Sequence, residues 1–421
     1  MTSSDNKELK DKPHRTVTAL GLMSGTSMDG IDAGVILTDG SRYVKELGSH
    51  SLKYSADFKA QLRSAERAVL EAQGDMQRAR SIFPELDKVV QESTLLHAQV
   101  AQELITKLGY TAAQINVVGY HGQTLFHRPA AGITIQVGDG ALLARTLGIP
   151  VVYDFRSNDV RHGGQGAPFA PLYHEALALQ RGLAPAVFAN CGGISNITVV
   201  TGVSSTLMAF DCGPGNALID RFVLQRSAGA MDRDGVFGLQ GSVQDSVLTA
   251  LRAKSLLLQD GSNYLDKAPP KSLDVNDLIL IDELKELSLQ DGCATLEAFT
   301  ADCIVDSLAW VEQKGIAIPS TWVLAGGGWN NPVILRELES RLRTRLGAAV
   351  KLGAAVKLGA AVKLGAAVKI EHADALGWDG TALEAQIFAY LAVRSLAGLP
   401  LTVPGTTGVS EPMTGGLLVQ V

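Results

Sequence analysis

Gly21-Leu22-Met23-Ser24-Gly25-Thr26-Ser27-Met28-Asp29-Gly30-Ile31-Asp32 lies between two apolar runs, Thr16 to Leu22 and Ile31 to Leu37. Strand, short polar loop and second strand make a hairpin. Glycines at 25 and 30 allow positive φ and close backbone approach. Ser24, Thr26 and Ser27 add hydroxyls, so the loop offers a nest suited to phosphate oxygens. The absence of Gly-Lys-Ser/Thr excludes a Walker-type P-loop, whose lysine reaches the phosphates. An ordinary hairpin turn accounts for the same spacing equally well.

Two similar connections lie further along. Asn190-Cys191-Gly192-Gly193-Ile194-Ser195-Asn196 follows the β-like Ala186 to Asn190, and Ala325-Gly326-Gly327-Gly328-Trp329-Asn330-Asn331 follows Thr321 to Leu324. Each alone is only a turn. Three strand-borne glycine loops together fit an actin-like nucleotide cleft, two holding phosphates and the third the adenosine. Helical patterning from Ala56 to Lys107 and from Val333 to Arg345 alternates with strands at Val117–Tyr120, Ile133–Val137 and Pro150–Tyr153, which predicts an α/β architecture.

The 421 residues exceed what one core organises, so two domains with a ligand cleft are expected. The expected borders are a disordered tail at 1–15, a first domain at 16–160 rejoined by 403–421, and a second at 161–402. The chain is 46% hydrophobic and 19% charged, and its mean hydropathy is +0.14, as suits a well-buried globular protein. A net charge of −6 without a basic run argues against nucleic acid and anionic membranes as partners. Apolar stretches fall short of the roughly 18 residues of a membrane span. Met1 to Arg15 lacks the apolar core of a secretory signal. Cys191, Cys212, Cys293 and Cys303 show neither CxxC pairing nor zinc spacing, so free thiols in a reducing cytoplasm are expected. Oligomeric state is not written in the sequence, and a homodimer is one allowed assembly.

Residues 346–369 are four copies of Leu-Gly-Ala-Ala-Val-Lys. Solenoid repeats are longer and diverge. Leu346, Val350, Leu352 and Val356 share one parity, which suits a strand, and a six-residue insertion never turns a strand over. One native copy and three tandem additions are expected, tolerated as a surface insertion.

Several motifs together resemble those of the anhydro-N-acetylmuramic acid kinases, an actin-like family. They are Leu22 to Asp32, His121-Gly122-Gln123-Thr124, Asp154-Phe155-Arg156 with Asp159, and Gly163-Gly164-Gln165-Gly166-Ala167-Pro168. Asn190 to Asn196, Asp211-Cys212-Gly213-Pro214-Gly215-Asn216 and Gly326-Gly327-Gly328 complete the set. The order is right and the match spans nearly the whole chain after the tail. The resemblance implies a two-domain α/β enzyme that transfers the γ-phosphate of ATP to a sugar and also hydrolyses its internal 1,6-anhydro bridge, giving N-acetylmuramic acid 6-phosphate in cell-wall recycling. A conventional sugar kinase acting on a free hydroxyl and a non-catalytic nucleotide-binding regulator are the rivals.

The same resemblance implies the site. Asp211 matches the family's catalytic base, which deprotonates a water attacking the anomeric carbon, as the carboxylate of an inverting glycosidase does. By itself, Asp211 reads as an Asx-turn residue at a strand end. ATP would lie against Ser24, Gly25, Thr26, Ser27, Met28, Asp29 and Gly30, against Gly192, Gly193 and Asn196, and against Gly326, Gly327 and Gly328. The sugar would meet His121, Arg156, Asp159, Gln165, Asn216 and Glu384. Arg156 is suited to a bidentate contact, though a salt bridge at a domain edge explains it as well. His121 and His127 lack the partners of a metal site, so a hydrogen-bonding His121 is expected. Mg2+ is expected with ATP, and its protein ligands stay unassigned, with Asp29 and Asp32 as candidates. Where many relatives carry Lys-Ser-Thr-Gly-Arg, this chain reads Lys271-Ser272-Leu273-Asp274-Val275, which leaves that loop without a role.

Overall fold

The computed structural model describes residues 15–203, 206–258, 260–347, 350–352, 368–380 and 382–421. The tail read at 1–15 lies almost wholly outside the described residues, as do 348–349 and 353–367 of the repeat segment. Contacts divide the chain into two compact units.

The first unit opens with an antiparallel meander, β1 (Val17–Ser24), β2 (Gly30–Thr38) and β3 (Val44–Lys53). Helices α1 (Ala56–Glu71), α2 (Met76–Ile82) and α3 (Leu86–Lys107) follow. Then come β4 (Val117–Arg128), β5 (Ile133–Val137), α4 (Gly140–Leu147), β6 (Val151–Tyr153), α5 (Ser157–Arg161) and α6 (Pro171–Gln180). The expected hairpin is present, whereas β4 runs far past Tyr120 and carries His121 to Thr124 inside a strand.

The second unit repeats the plan with the meander β7 (Ala186–Cys191), β8 (Ile194–Val200) and β9 (Met208–Pro214). Helices α7 (Ala217–Gln225), α8 (Asp245–Lys254), α9 (Leu289–Asp306) and α10 (Leu308–Gln313) lead to β10 (Thr321–Ala325). α11 (Pro332–Leu346), β11 (Val350–Leu352) and β12 (Val368–His372) complete it. The chain then returns to the first unit as α12 (Leu383–Leu396), gives the second a short α13 (Pro404–Thr407), and ends in the first on β13 (Leu417–Val419).

Strand order in the first sheet is β13-β6-β4-β1-β2-β3, with β5 beside β4, and in the second β11-β12-β10-β7-β8-β9. The sheets share one topology: an antiparallel three whose first strand pairs in parallel with a later one, β1 with β4 and β7 with β10. This is an α/β architecture of the actin-like type.

Glycines decide where α12 belongs. Gly21, Gly34 and Gly119 stand side by side across β1, β2 and β4. A Cβ on Gly21 would come within 1.8 Å of the Ala385 carbonyl oxygen, and one on Gly119 within 2.0 Å of that of Phe388. Only glycine lets the helix backbone sit directly on the sheet. Residues 382–402 therefore pack in the first unit, as do those up to Arg181, where the sequence reading set the border at 160 and kept both segments in the second domain.

Candidate active site

Asp211 sits inside β9, the outer strand of its sheet, not at a strand end. It faces Asn196 of β8, and the register skips Cys212 before Ser195 meets Gly213. Such a bulge re-aims side chains. Cys212 goes into the core, whereas Asp211 alone on the strand stays half-buried.

A covering segment closes the open edge of β9. The Asp211 amide donates to the Lys271 carbonyl (3.2 Å), the Tyr264 hydroxyl donates to the Asp211 carbonyl (2.9 Å), and the Leu273 amide donates to Asp211 Oδ2 (2.8 Å). Burial pushes the Asp211 carboxyl up to about 7, against the Leu273 amide and the Lys271 charge, which favour the anion. Its accessible surface shows solvent still reaching it, so the push comes from crowding on the protein side. A carboxylate that is reachable by water and poised near neutrality is equipped to act as a general base.

The two glycine loops of this unit are built into each other. Gly192 and Gly193 form the β7–β8 turn, and their carbonyls accept from Gly215, Asn216 and Ala217, the entry to α7 (2.8 to 3.2 Å). Those α7 amides are spent on the turn. Gly326, at φ +93°, and Gly328 fold onto Cys191, where a Cβ would come within 2.7 Å of its carbonyl and 2.4 Å of its sulfur respectively. Gly193 and Gly327 are exposed, and a Cβ on Gly327 would meet nothing within 4 Å. That open side is where a ligand could approach backbone. Beyond it, Asn331 caps α11 by accepting from the Val333 and Ile334 amides, with Pro332 in the first turn.

In the first unit, Ser24 is buried and donates to the Gly122 carbonyl (3.2 Å), and Gln123 donates to that of Gly25 (2.9 Å). Met28 takes φ +55° and buries its side chain, leaving Thr26 and Ser27 exposed. Burial works against ionisation of Asp29, but Lys59 and Ser27 outweigh it and hold the carboxyl below its usual value. Gly30 is needed for packing: a Cβ there would come within 2.2 Å of the Leu52 carbonyl oxygen.

His121, Arg156 and Asp159 form one network. His121 Nδ1 donates to the Gly122 carbonyl (2.9 Å), which leaves Nε2 to accept from Arg156 Nε (2.9 Å). Burial, then the Arg156 charge, holds the imidazole well below its usual pKa and hence neutral. Arg156 also donates to the Gly166 carbonyl and lies 5.2 Å from the Phe169 ring centre. Desolvation lowers it to about 10, with Glu384 and Asp159 opposing. Asp159 is buried and accepts from the Gly166 amide (2.7 Å) and the Thr402 hydroxyl (2.6 Å). It shapes the 163–168 loop, in which Gln165 is half-buried. Glu384 is exposed on the first turn of α12, yet desolvation and then Asp32 raise its carboxyl, with Arg156 opposing them.

The model of the family described as anhydro-N-acetylmuramic acid kinase matches residues 17–367. The chain belongs to the anhydro-N-acetylmuramic acid kinase family. An anhydro-N-acetylmuramic acid kinase of Rhodopseudomonas palustris (strain HaA2) is 41% identical over 409 residues, covering 96% of this chain and 99% of that protein. One of Brucella suis (strain ATCC 23445 / NCTC 10510) is 42% identical over 406 residues, covering 96% of this chain and 98% of its own. Among solved structures, component A of the (R)-2-hydroxyglutaryl-CoA dehydratase of Acidaminococcus fermentans is similar over 90% of this chain and 99% of that one. Identity there is 11% and the TM-score 0.42, too slight to add to what the sheets display. Among the described residues of this kinase, no helix is long and apolar enough to cross a membrane, and no three His, Cys, Asp or Glu side chains cluster as a metal site.

The fold brings Asp211, Asn196, Asn216 and both glycine loops of the second unit together, and in the first unit His121, Arg156 and Asp159, with the Arg156 charge felt at Glu384. Tyr264, Lys271 and Leu273 around Asp211, Phe169 under Arg156 and Thr402 on Asp159 were missed. Only the Lys271 stretch stood out in the sequence, as a departure from relatives.

Proposed function

We propose that this kinase hydrolyses the bridge of 1,6-anhydro-N-acetylmuramic acid and phosphorylates O6 with ATP, giving N-acetylmuramic acid 6-phosphate. Asp211 takes a proton from water as the water oxygen bonds to the anomeric carbon and the bond from that carbon to O6 breaks. O6 bonds to the γ-phosphorus, and the bond to ADP breaks. Phosphorylation of the departing oxygen replaces the general acid of an ordinary glycosidase. The half-buried Asp211 carboxyl, raised to about 7 and fixed by the Leu273 amide, carries this reading.

ATP is assigned to Ser24–Gly30 in one unit and to Gly192, Gly193, Asn196 and Gly326–Gly328 in the other, where exposed glycines leave backbone open to phosphate or adenosine. Mg2+ bound through the phosphates would neutralise their charge. Asp29 is engaged by Lys59, and Asp32 accepts from Ser51 (2.6 Å), so an ion carried mainly by phosphate and water suits these residues. His121, Arg156, Asp159, Gln165, Asn216 and Glu384 are assigned to the sugar, directly or by shaping its loop. The same proposal places the enzyme in the cytoplasm, acting on a small molecule in cell-wall sugar recycling and not on nucleic acid or membranes, alone or as a homodimer.

Mass spectrometry of the product made in heavy-oxygen water tests the reaction. Gain of one phosphate and one labelled water per sugar is expected. Gain of phosphate alone means simple transfer to a free hydroxyl, and no product means a nucleotide-binding regulator.

A further inference from the structure

Lys271 is 2% exposed, and among the described residues it forms no ion pair. Its ammonium donates to the carbonyls of Tyr264 (3.1 Å) and Leu265 (3.5 Å) and lies 4.5, 5.8 and 6.0 Å from the ring centres of Tyr264, Trp310 and Phe210. Burying a lysine is unfavourable, and carbonyls with aromatic faces only partly replace water. An apolar side chain of that length would fill the same cage. A buried cation retained one hydrogen bond from Asp211 calls for a reason beyond packing.

The cage is continuous with the base. Phe210 precedes Asp211 on β9, the Lys271 carbonyl accepts from the Asp211 amide, Tyr264 donates to the Asp211 carbonyl, and Leu273 donates to its carboxylate. The ammonium ties the Tyr264–Leu265 turn to the covering segment, alongside the Tyr264 amide bond to Leu256 and the Arg221 bonds to the Val275 and Leu278 carbonyls. The titratable groups felt at the ammonium are Cys212, Cys303, Asp211 and Asp266. Burial pushes the Cys212 thiol up to about 12 and Cys303 well above its ordinary value, so both stay neutral, and Asp266 is solvent-exposed. Asp211, half-buried, is left as the carboxylate that the ammonium favours. Burial also lowers Lys271 itself, yet its carbonyl acceptors demand a donor.

We infer that Lys271 is a positioning residue for the base, locking the segment whose carbonyl and Leu273 amide hold Asp211, and setting a buried positive charge beside that strand. The inference rests on Asp211 being the base, as proposed above. Without the charge, crowding acts on Asp211 less opposed, and its acid limb moves to higher pH.

Lys271→Met keeps the apolar stem, Lys271→Gln keeps a donor without charge, and Lys271→Arg keeps both charge and donors. On the full chain, kcat/KM for the anhydro sugar is measured from pH 5 to 9 beside thermal melts. Met and Gln variants are expected to move the acid limb upward together, losing about tenfold well below the limb for each unit moved. The Arg variant is expected to keep the wild-type limb. Folded Met and Gln variants whose limb matches wild type overturn the inference, as does failure of both to fold, which makes the lysine a structural tie. Asp211→Asn tells the two readings apart. Near-normal turnover in that variant removes the base itself, whereas an inactive Asp211→Asn beside unshifted lysine variants removes only the role of Lys271.

Discussion

β3 and β9 occupy the same place in two sheets of one topology, the outer strand of an antiparallel three, yet they treat their free edge differently. Most of β3 is half-buried or exposed, whereas every residue of β9 is buried except Asp211. The segment from Tyr264 to Leu273 bonds along β9 at both backbone and side chain, and α9 and α13 pack on the same strand. Covering an edge ordinarily protects it from stray pairing. Here the cover also desolvates one carboxyl and leaves it one open side. The first unit instead places a neutral His121 on its parallel strand β4, where it accepts from Arg156 at the entry to α5. One topology thus yields a half-buried, covered carboxyl in one unit and a buried polar network in the other.

The largest effect should come from Asp211→Asn, which we predict lowers sugar turnover by about 100- to 10,000-fold with ATP binding unchanged and melting no lower than wild type. Arg156→Met should lower kcat/KM for the sugar by about 100-fold, since it strands the His121 acceptor and frees the 163–168 loop. Arg156→Lys should restore little, because a point charge cannot serve His121 and Gly166 in one plane. Steady-state kinetics on both variants would blur the contrast between units if the loss fell in kcat for ATP hydrolysis alone.

Two glycine substitutions sharpen the comparison. Gly119→Ala collides with the Phe388 carbonyl at 2.0 Å, and overpacking of that kind should destabilise the first unit by about 1–3 kcal/mol in a thermal or denaturant melt. Gly327→Ala meets nothing within 4 Å, so melting should be unchanged while ATP affinity, read by calorimetry, falls.

The smallest effect concerns Glu297 on α9, which is fully buried; burial first, then Asp232, pushes its carboxyl up to about 9 against the Asn331 hydrogen bond. A folded value above the unfolded one means that this stabilisation is complete below the ordinary carboxyl range and is lost as pH rises towards 9. Glu297→Gln should therefore change Tm little at pH 5 and raise it progressively towards pH 8.

How far these features could be read from sequence depends on the range of the interactions behind them. Glycine loops between apolar runs are local signals, so the β1–β2 and β7–β8 turns and the Gly326–Gly328 connection were legible in place. The seat of α12 was not, because it depends on Gly21, Gly34 and Gly119 aligning across three strands, with the nearest pair 13 residues apart. Asp211 was singled out through its family motif, but its bulge comes from the pairing with β8, and its cover and the caged Lys271 come from a segment about 60 residues later that carries no periodic pattern. The border at residue 160 failed for the same reason: α6 and α12 are apolar helices whose partners are set by tertiary contact.

A crystal structure with the anhydro sugar and a non-hydrolysable ATP analogue tests the central claim most directly. It should show the Asp211 carboxylate hydrogen-bonded to a water that lies in line with the bond from the anomeric carbon to O6. A carboxylate turned from that carbon, or packed so tightly against the ring that no water fits, would contradict the account.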